Sequence, residues 1–411
     1  MSQTEVQLIK TNAVQTGDIA NSAVTDEKIA GLTSSKLTGA LPAISGASLT
    51  NLPASGKAKN LIINGAMQVA QRGTSSTSNG MHTLDRFAVY YQNTDEAPTQ
   101  AQVDVASGTT PYTLGFRKAY KVTNGNQTSG AGSNDMVTIY YQAEAQDIAK
   151  SGWNYASSSS YVTLSFWVKS SVAQNFYGRF TTLDSPVYNY PFETGSLSAN
   201  TWTKVTKTIP GNSNLVLNND NGAGLYIELI AFQGTDKTGS VSLHQWGAWN
   251  GSVRTPDYGS DMDDWYLTND ATFEITGVQL EVGDSATDFE HLSFGEDYLR
   301  CARYYIQMNR LPVMTNRVAG HVSCTTRFNP VPMRAIPSLS IDGTLSLNVF
   351  FYGSGTPTST TTPGFQNNGD SGQPYGGDNM ILNFSGFSSS NFQTNEMGEV
   401  YGTTIKINAE L

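Results

Sequence analysis

Cysteine is nearly missing: the chain has two in 411 residues, Cys301 and Cys324, too few to staple a fold of this length by disulfides. Both read as buried free thiols. Histidine is almost as scarce, with four residues, His82, His244, His291 and His321, none at the close spacing of metal ligands. Charged residues make up only 14%, and acids outnumber bases 34 to 24, leaving a net charge of -10. A field of that sign repels phosphate backbones, so no nucleic acid is expected as partner. No apolar run approaches the ~20 residues of a spanning helix, and the polar start MSQTEVQ lacks the basic-then-apolar order of a signal peptide. No membrane insertion is expected, and synthesis in a host cytoplasm follows.

What the chain has in quantity is Gly (39), Tyr (20) and Phe (17), which favours strands and turns over amphipathic helices. The length suggests two or three units. Residues 1–57 contain no aromatic side chain, and Ala13-Val14-Gln15-Thr16-Gly17-Asp18-Ile19-Ala20 is echoed by Ala23-Val24-Thr25-Asp26-Glu27-Lys28-Ile29-Ala30. Such a segment cannot bury a core alone. Isolated apolar residues at nearly regular intervals suit an extended shaft in which several chains share a thin core. Over 58–292 the period changes to two. In Tyr161–Lys169, Val162, Leu164, Phe166 and Val168 alternate with Tyr161, Thr163, Ser165, Trp167 and Lys169, which predicts a half-buried strand. Met136–Ala143, Thr201–Ile209, Leu225–Phe232 and Thr272–Val282 read as further strands between Gly-, Asn- and Ser-rich turns. The fold class is therefore mostly β, with a central β-sandwich of jelly-roll type.

A third region, 293–411, opens with Ser293-Phe294-Gly295-Glu296, the spacing of a capping box. Phe294, Tyr298, Cys301, Ala302 and Tyr305 follow at helical intervals, predicting a helix over Gly295–Met308 with that face packed. Strands are expected at Arg317–Phe328, Ser338–Phe351, Ile381–Phe384 and Gly398–Ile407, in a small distal β domain. Gly353–Gly377 reads as a long surface loop.

Two ordered blocks carry a family resemblance. Asn60-Leu61-Ile62-Ile63-Asn64-Gly65-Ala66-Met67-Gln68-Val69-Ala70-Gln71-Arg72-Gly73 with Leu84-Asp85-Arg86-Phe87 resembles the opening of a sandwich domain in phage tail-fibre and tail-tip proteins. Phe273-Glu274-Ile275-Thr276-Gly277-Val278-Gln279-Leu280-Glu281-Val282-Gly283, then Ala286-Thr287-Asp288-Phe289-Glu290, then Tyr298 to Tyr305 resembles its close. Where the family often has Pro before Phe-Glu, this chain has Asp288. Pro330-Val331-Pro332-Met333-Arg334-Ala335-Ile336-Pro337 resembles the family's link into its distal domain. The resemblance implies a homotrimer and a carbohydrate-binding-module-like jelly roll. It also implies a virion tail fibre, attached to tail or baseplate proteins through 1–57, that binds host polysaccharide or lipopolysaccharide. A purely structural fibre, connector or head fibre is the alternative, and a glycan depolymerase a lesser one.

No catalytic residues are expected. Gly234-Thr235-Asp236-Lys237-Thr238-Gly239-Ser240 has P-loop glycine spacing, but Ser240 stands where Lys is required, and a hairpin turn is the better reading. Asp257, Asp261, Asp263 and Asp264 read first as a solvated loop and second as a structural Ca²⁺ site, although EF-hand spacing is absent. No other cofactor is expected. Sugar recognition needs flat aromatic faces beside polar groups for hydroxyls. The sandwich offers Trp153 and Tyr155, Tyr188 and Tyr190, and Trp246 and Trp249; Trp167 and Trp202, within strands, read as structural. The distal loops offer Tyr352, Phe365, Asn367, Asn368, Asp370 and Tyr375, with Asn379, Phe387 and Phe392 nearby, and rank slightly first because they have less core to enter.

Overall fold

The computed structural model describes residues 60–259, 262–315, 322–324, 331–335, 337–349, 358–360, 363–365, 382–384, 397–402 and 404–411. The shaft expected over 1–57 lies outside the described residues.

Period-two patterning produces two six-stranded sheets. In β6 (Tyr161–Ser170), Val162, Leu164, Phe166 and Val168 are fully buried, as the alternation predicts, while Trp167 and Lys169 stay half-buried on the other face. The first sheet runs β1 (Ser75–Ser76), β3 (Thr99–Asp104), β4 (Lys118–Thr123), β14 (Thr272–Val282), β6 and β9 (Thr203–Pro210). The second runs β12 (Gly247–Ala248), β8 (Tyr188–Ser196), β7 (Asn175–Thr182), β10 (Ala223–Gln233), β5 (Met136–Glu144) and β2 (Phe87–Gln92). Neighbouring strands in both are antiparallel.

The inner faces meet in one core, to which Leu164 and Ile275 come from the first sheet and Ile139, Phe180 and Ile227 from the second. Phe176 packs on Phe273 across the two sheets with ring centroids 4.9 Å apart. Each such side chain contributes about 1.5–3 kcal/mol by leaving water. Burial on this scale makes the outer faces rigid platforms. The glycine-rich segment at Gly234 is not a hairpin: a 3-10 turn at Thr235–Lys237 leads into β11 (Thr238–Gly239), which pairs in parallel with β13 (Thr255–Pro256).

Three short helices, α1 (Thr110–Thr113), α2 (Ala145–Ala149) and α3 (Asp263–Leu267), interrupt the sandwich. The helix α4 (Phe294–Ala302) starts on the expected capping box: Ser293 Oγ accepts from Glu296 N–H at 3.3 Å and Glu296 Oε2 accepts from Ser293 N–H at 2.9 Å. It stops short of Met308. Residues Tyr305–Met308 instead form strand β15, paired with Ile405–Asn408, because the aromatic and β-branched side chains there suit a half-buried strand and the partner satisfies their backbone groups. Phe294, expected to pack, is 58% exposed. The rest of the expected face packs: Cys301, Ala302 and Tyr305 are buried, and Tyr298 packs against Cys301 and its neighbours.

Two of the strands expected after the helix are each split. Ser338–Ile341 and Leu345–Val349 flank a bend at Asp342 and Gly343, and Met397–Tyr401 and Ile405–Asn408 flank Gly402, whose φ is +99°. Within Arg317–Phe328 the strand Val322–Cys324 is described, and Ile381–Phe384 contains Leu382–Phe384. Gly353–Gly377 carries strands Thr358–Thr360 and Pro363–Phe365 rather than loop alone, consistent with the β-branched threonines there.

Candidate functional site

Antiparallel register puts paired residues on the same side of a sheet. On β10, Leu225, Ile227 and Leu229 enter the core, so Tyr226 and Glu228 between them face outward. Glu228 is level with Tyr140 on β5 and Arg179 on β7, and Tyr226 with Gln142 and Thr181. Arg179 continues to Pro191, and Thr181 to Asn189, on β8. The outer face of the second sheet thus gathers two tyrosines, an arginine, a glutamate and three amide or hydroxyl side chains.

Residues 238–258 form a strap over one side of this face. Trp249 N–H donates to Val187 O at 2.9 Å, and β12 adds an edge strand beside Tyr188 and Asn189. The strap delivers Trp249, whose ring lies 4.5 Å from the Arg179 guanidinium carbon, and Arg254, whose backbone oxygen accepts from Asn189 Nδ2 at 2.9 Å. It also delivers Tyr258, stacked on Tyr177 at 5.0 Å. Beyond the strap, Tyr140 and Tyr226 stack at 5.2 Å with 22° between their planes. Both are half-buried, and neither hydroxyl makes a hydrogen bond among the described residues. The same holds for the Trp249 indole N–H and the Gln142 side-chain amide.

The charge at the centre is locked. Arg179 Nε donates to Glu228 Oε2 and its Nη1 donates to Thr181 Oγ1 at 2.9 Å, while Arg254 Nε lies 3.4 Å from the same carboxylate. Burial opposes the Glu228 charge, but the two guanidiniums outweigh it and hold the carboxyl below its ordinary range. A carboxylate held ionised is a poor general acid, the role glycoside cleavage requires. Burial, reinforced by Glu228, pushes the Tyr226 hydroxyl well above its usual range; burial, then Glu410 and Glu228, raises that of Tyr140. Both stay protonated at neutral pH as hydrogen-bond donors. The face therefore presents planar rings with unspent polar tips around a fixed ion pair, an arrangement suited to binding a hydroxylated ring.

The candidates named from sequence scatter. Trp249 and Tyr188 border the face. Tyr190 and Trp246 pack together at 5.2 Å beside the core, with Trp246 Nε1–H donating to Pro210 O at 2.7 Å. Trp153 is 3% exposed and donates to Ser160 O, and Tyr155 contacts it edge-on at 6.3 Å. Trp167 and Trp202 pack on the outer side of the first sheet against the cluster of Ala66, Val105, Phe116 and Ala119. Tyr352, Asn367, Asn368, Asp370, Tyr375, Asn379, Phe387 and Phe392 lie outside the described residues, and Phe365 is described only as part of its strand. In the acidic run, Asp263 and Asp264 open α3, with Trp265 and Tyr266 buried behind them; Asp261 lies outside the described residues. Among the described residues no group of three or more His, Cys, Asp or Glu could hold a metal ion. Sequence reasoning missed Tyr140, Tyr226, Arg179 and Glu228. Their alternation opposite Ile139, Ile227 and Phe180 was the available signal.

The ordered blocks meet elsewhere, at the junction of the sandwich with α4 and β15. Asn60 Oδ1 accepts from Leu280 N–H at 3.0 Å, and a Cβ on Gly65 would stand 2.1 Å from Val278 O, so only glycine fits there. Arg86, wholly buried, pairs with Glu410 and lies 3.5 Å from the Tyr304 ring centre. Glu144 accepts from Arg303 Nε and Nη2, both at 2.7 Å, and from Tyr304 Oη at 2.5 Å. These residues hold regions of the chain together.

No protein-family model matches the chain, and no curated protein matches it. Solved structures similar to it include the tailspike protein 4 enzymatically active domain of bacteriophage CBA120, at 10% identity and TM-score 0.28 over 55% of this chain and 22% of that one. Another is the Clostridium thermocellum xylanase 10B CBM22-1–GH10 modules complexed with xylohexaose, at 10% identity and TM-score 0.25 over 55% of this chain and 30% of that one. A third is the N-terminal cellulose-binding domain of Cellulomonas fimi β-1,4-glucanase C, at 12% identity and TM-score 0.25 over 53% of this chain and 99% of that one. This chain thus spans less than a third of the tailspike and xylanase chains.

Proposed function

We propose that the protein is a virion fibre protein that binds host surface glycan, without cleaving it, on the outer face of its second sheet. The observation that carries the reading is the stacked Tyr140–Tyr226 pair with free hydroxyls, flanked by Trp249 and the Arg179–Glu228 pair. Sugar rings lay their C–H faces on such aromatics, and the polar tips select among hydroxyl arrangements. Glu228, held ionised between two guanidiniums, is not a general acid. The ordered blocks around Asn60 and Phe273, which resemble those of phage tail-fibre proteins, support a place on the virion. The core-poor repeats before Lys57 support a homotrimer whose shaft attaches to tail or baseplate proteins.

Labelled protein incubated with candidate host cells, and with their purified lipopolysaccharide and capsular polysaccharide, tests this reading. Adsorption that Tyr226→Ala weakens about tenfold, with the polysaccharide recovered at its original length, is the expected result. Shortened polysaccharide would make the protein a depolymerase, and absence of adsorption by the intact chain to any host would leave a structural fibre. Light scattering should give a trimer mass.

A further inference from the structure

We infer a second, separate sugar site on the outer face of the first sheet, shaped for an anionic pyranose such as a hexuronate. A cavity of about 480 Å³ opens there between the strands and two loops, within the ~300–1,000 Å³ range of small-molecule sites and on the opposite sheet from the face described above. Its existence does not depend on that face binding glycan.

The cavity follows from a register break. Between Thr276 and Gln279 the β14–β6 pairing slips, and Gly277 turns to φ +61°. A Cβ at Gly277 would stand 2.6 Å from Phe116 Cζ, so the glycine lets that ring seat against the strand. Phe116, Phe289 and His291 then form a cluster with ring centroids 4.9–5.0 Å apart, and one His291 ring nitrogen is hydrogen-bonded to Leu114 O at 2.8 Å. The loop carrying Phe289 is tied back to β14. Glu281 accepts from Thr287 N–H at 2.9 Å and Oγ1–H at 2.6 Å, and Gln279 Oε1 accepts from Glu290 N–H at 2.8 Å. The walls are therefore set before any ligand arrives, which lowers the ordering cost of binding.

The sheet floor supplies the recognition groups. Trp167 is level with Lys204 on β9, and both line the cavity. Lys204 is exposed, and neither its ammonium nor the Trp167 N–H has a partner among the described residues. A pyranose stacked on Trp167 would place a ring carboxylate by Lys204 and turn its hydroxyls toward Ser165 and Asp288, which also line the cavity. Trp167, a strand residue that reads as structural in the sequence, thus gains a ligand-facing role.

Calorimetry and saturation-transfer NMR with short oligogalacturonate, against a neutral oligosaccharide of equal length, test the site. The wild type should bind the uronate at least about tenfold more tightly than the neutral sugar, and Lys204→Ala should remove about tenfold of that affinity. Lys204→Arg should restore most of it. Trp167→Ala should abolish saturation transfer; if its melting curve shows unfolding, the exposed Lys204 pair decides. A wild type that binds no oligogalacturonate overturns the inference, and so does binding indifferent to Lys204→Ala.

Discussion

The junction around Arg86, Glu144 and Glu410 and the outer face of the second sheet differ in how they spend their polar groups. At the junction they are paired with one another: Arg303 and Tyr304 saturate Glu144, and Arg72 and Arg86 share Glu410. On the face, Glu228 and Arg179 are paired but the Tyr140 and Tyr226 hydroxyls and the Trp249 N–H are not. A network paired mostly within itself, as the junction is save for the buried Arg86 Nε, stabilises and leaves little for a ligand. An open one costs stability and retains the capacity to bind.

Substitutions should separate the two regions, and the largest effect belongs to the junction. Glu144→Ala leaves Arg303 and Tyr304 without their acceptor and should cost about 3–5 kcal/mol, read as a large drop in melting temperature. Polysaccharide affinity of the remaining folded protein should not change. Gly65→Ala drives a Cβ against the Val278 carbonyl oxygen and should cost about 1–3 kcal/mol in denaturant titration. On the face the order reverses: Tyr226→Ala should weaken glycan binding by about 1–2 kcal/mol, roughly tenfold, with little change in melting temperature.

Acid should sharpen the comparison further. Glu228 is held below its unfolded pKa of about 4.3, so its contribution is fully present above that value and is lost as pH falls through the lower folded one. Stability of Glu228→Gln should fall less steeply below pH ~4.3 than that of the wild type, as measured by melting curves across that range. The smallest effect should come from Phe294→Ser: the ring is 58% exposed, and the change should stay within about 0.5 kcal/mol.

How much of this was legible in the sequence follows the same division. The alternation in Tyr161–Lys169 marked a strand and its core-facing side because burial in the core leaves a period of two, but Thr163 and Ser165 on the other face are buried as well. The Ser293–Glu296 cap was readable because it is a local contact. The end of α4 was not, since Ala302 gives way to a strand only because Ile405–Asn408, a hundred residues on, pairs with Tyr305–Met308. Trp153 and Tyr190 resembled ligand residues in polar, turn-rich sequence, yet tertiary packing buries both. Tyr140, Arg179 and Tyr226 went unnoticed because their grouping depends on register among three strands. Residues of the first ordered block, such as Asn60 and Gly65, meet other parts of the chain.

The central claim is that the outer face of the second sheet holds host glycan, and one titration tests it most directly. Purified host lipopolysaccharide or capsular polysaccharide is titrated calorimetrically into the wild type and into Tyr140→Ala/Tyr226→Ala, with melting curves confirming that both are folded. We predict saturable binding by the wild type and at least about a hundredfold weaker binding by the double variant. Equal affinity for the two folded proteins would contradict the assignment.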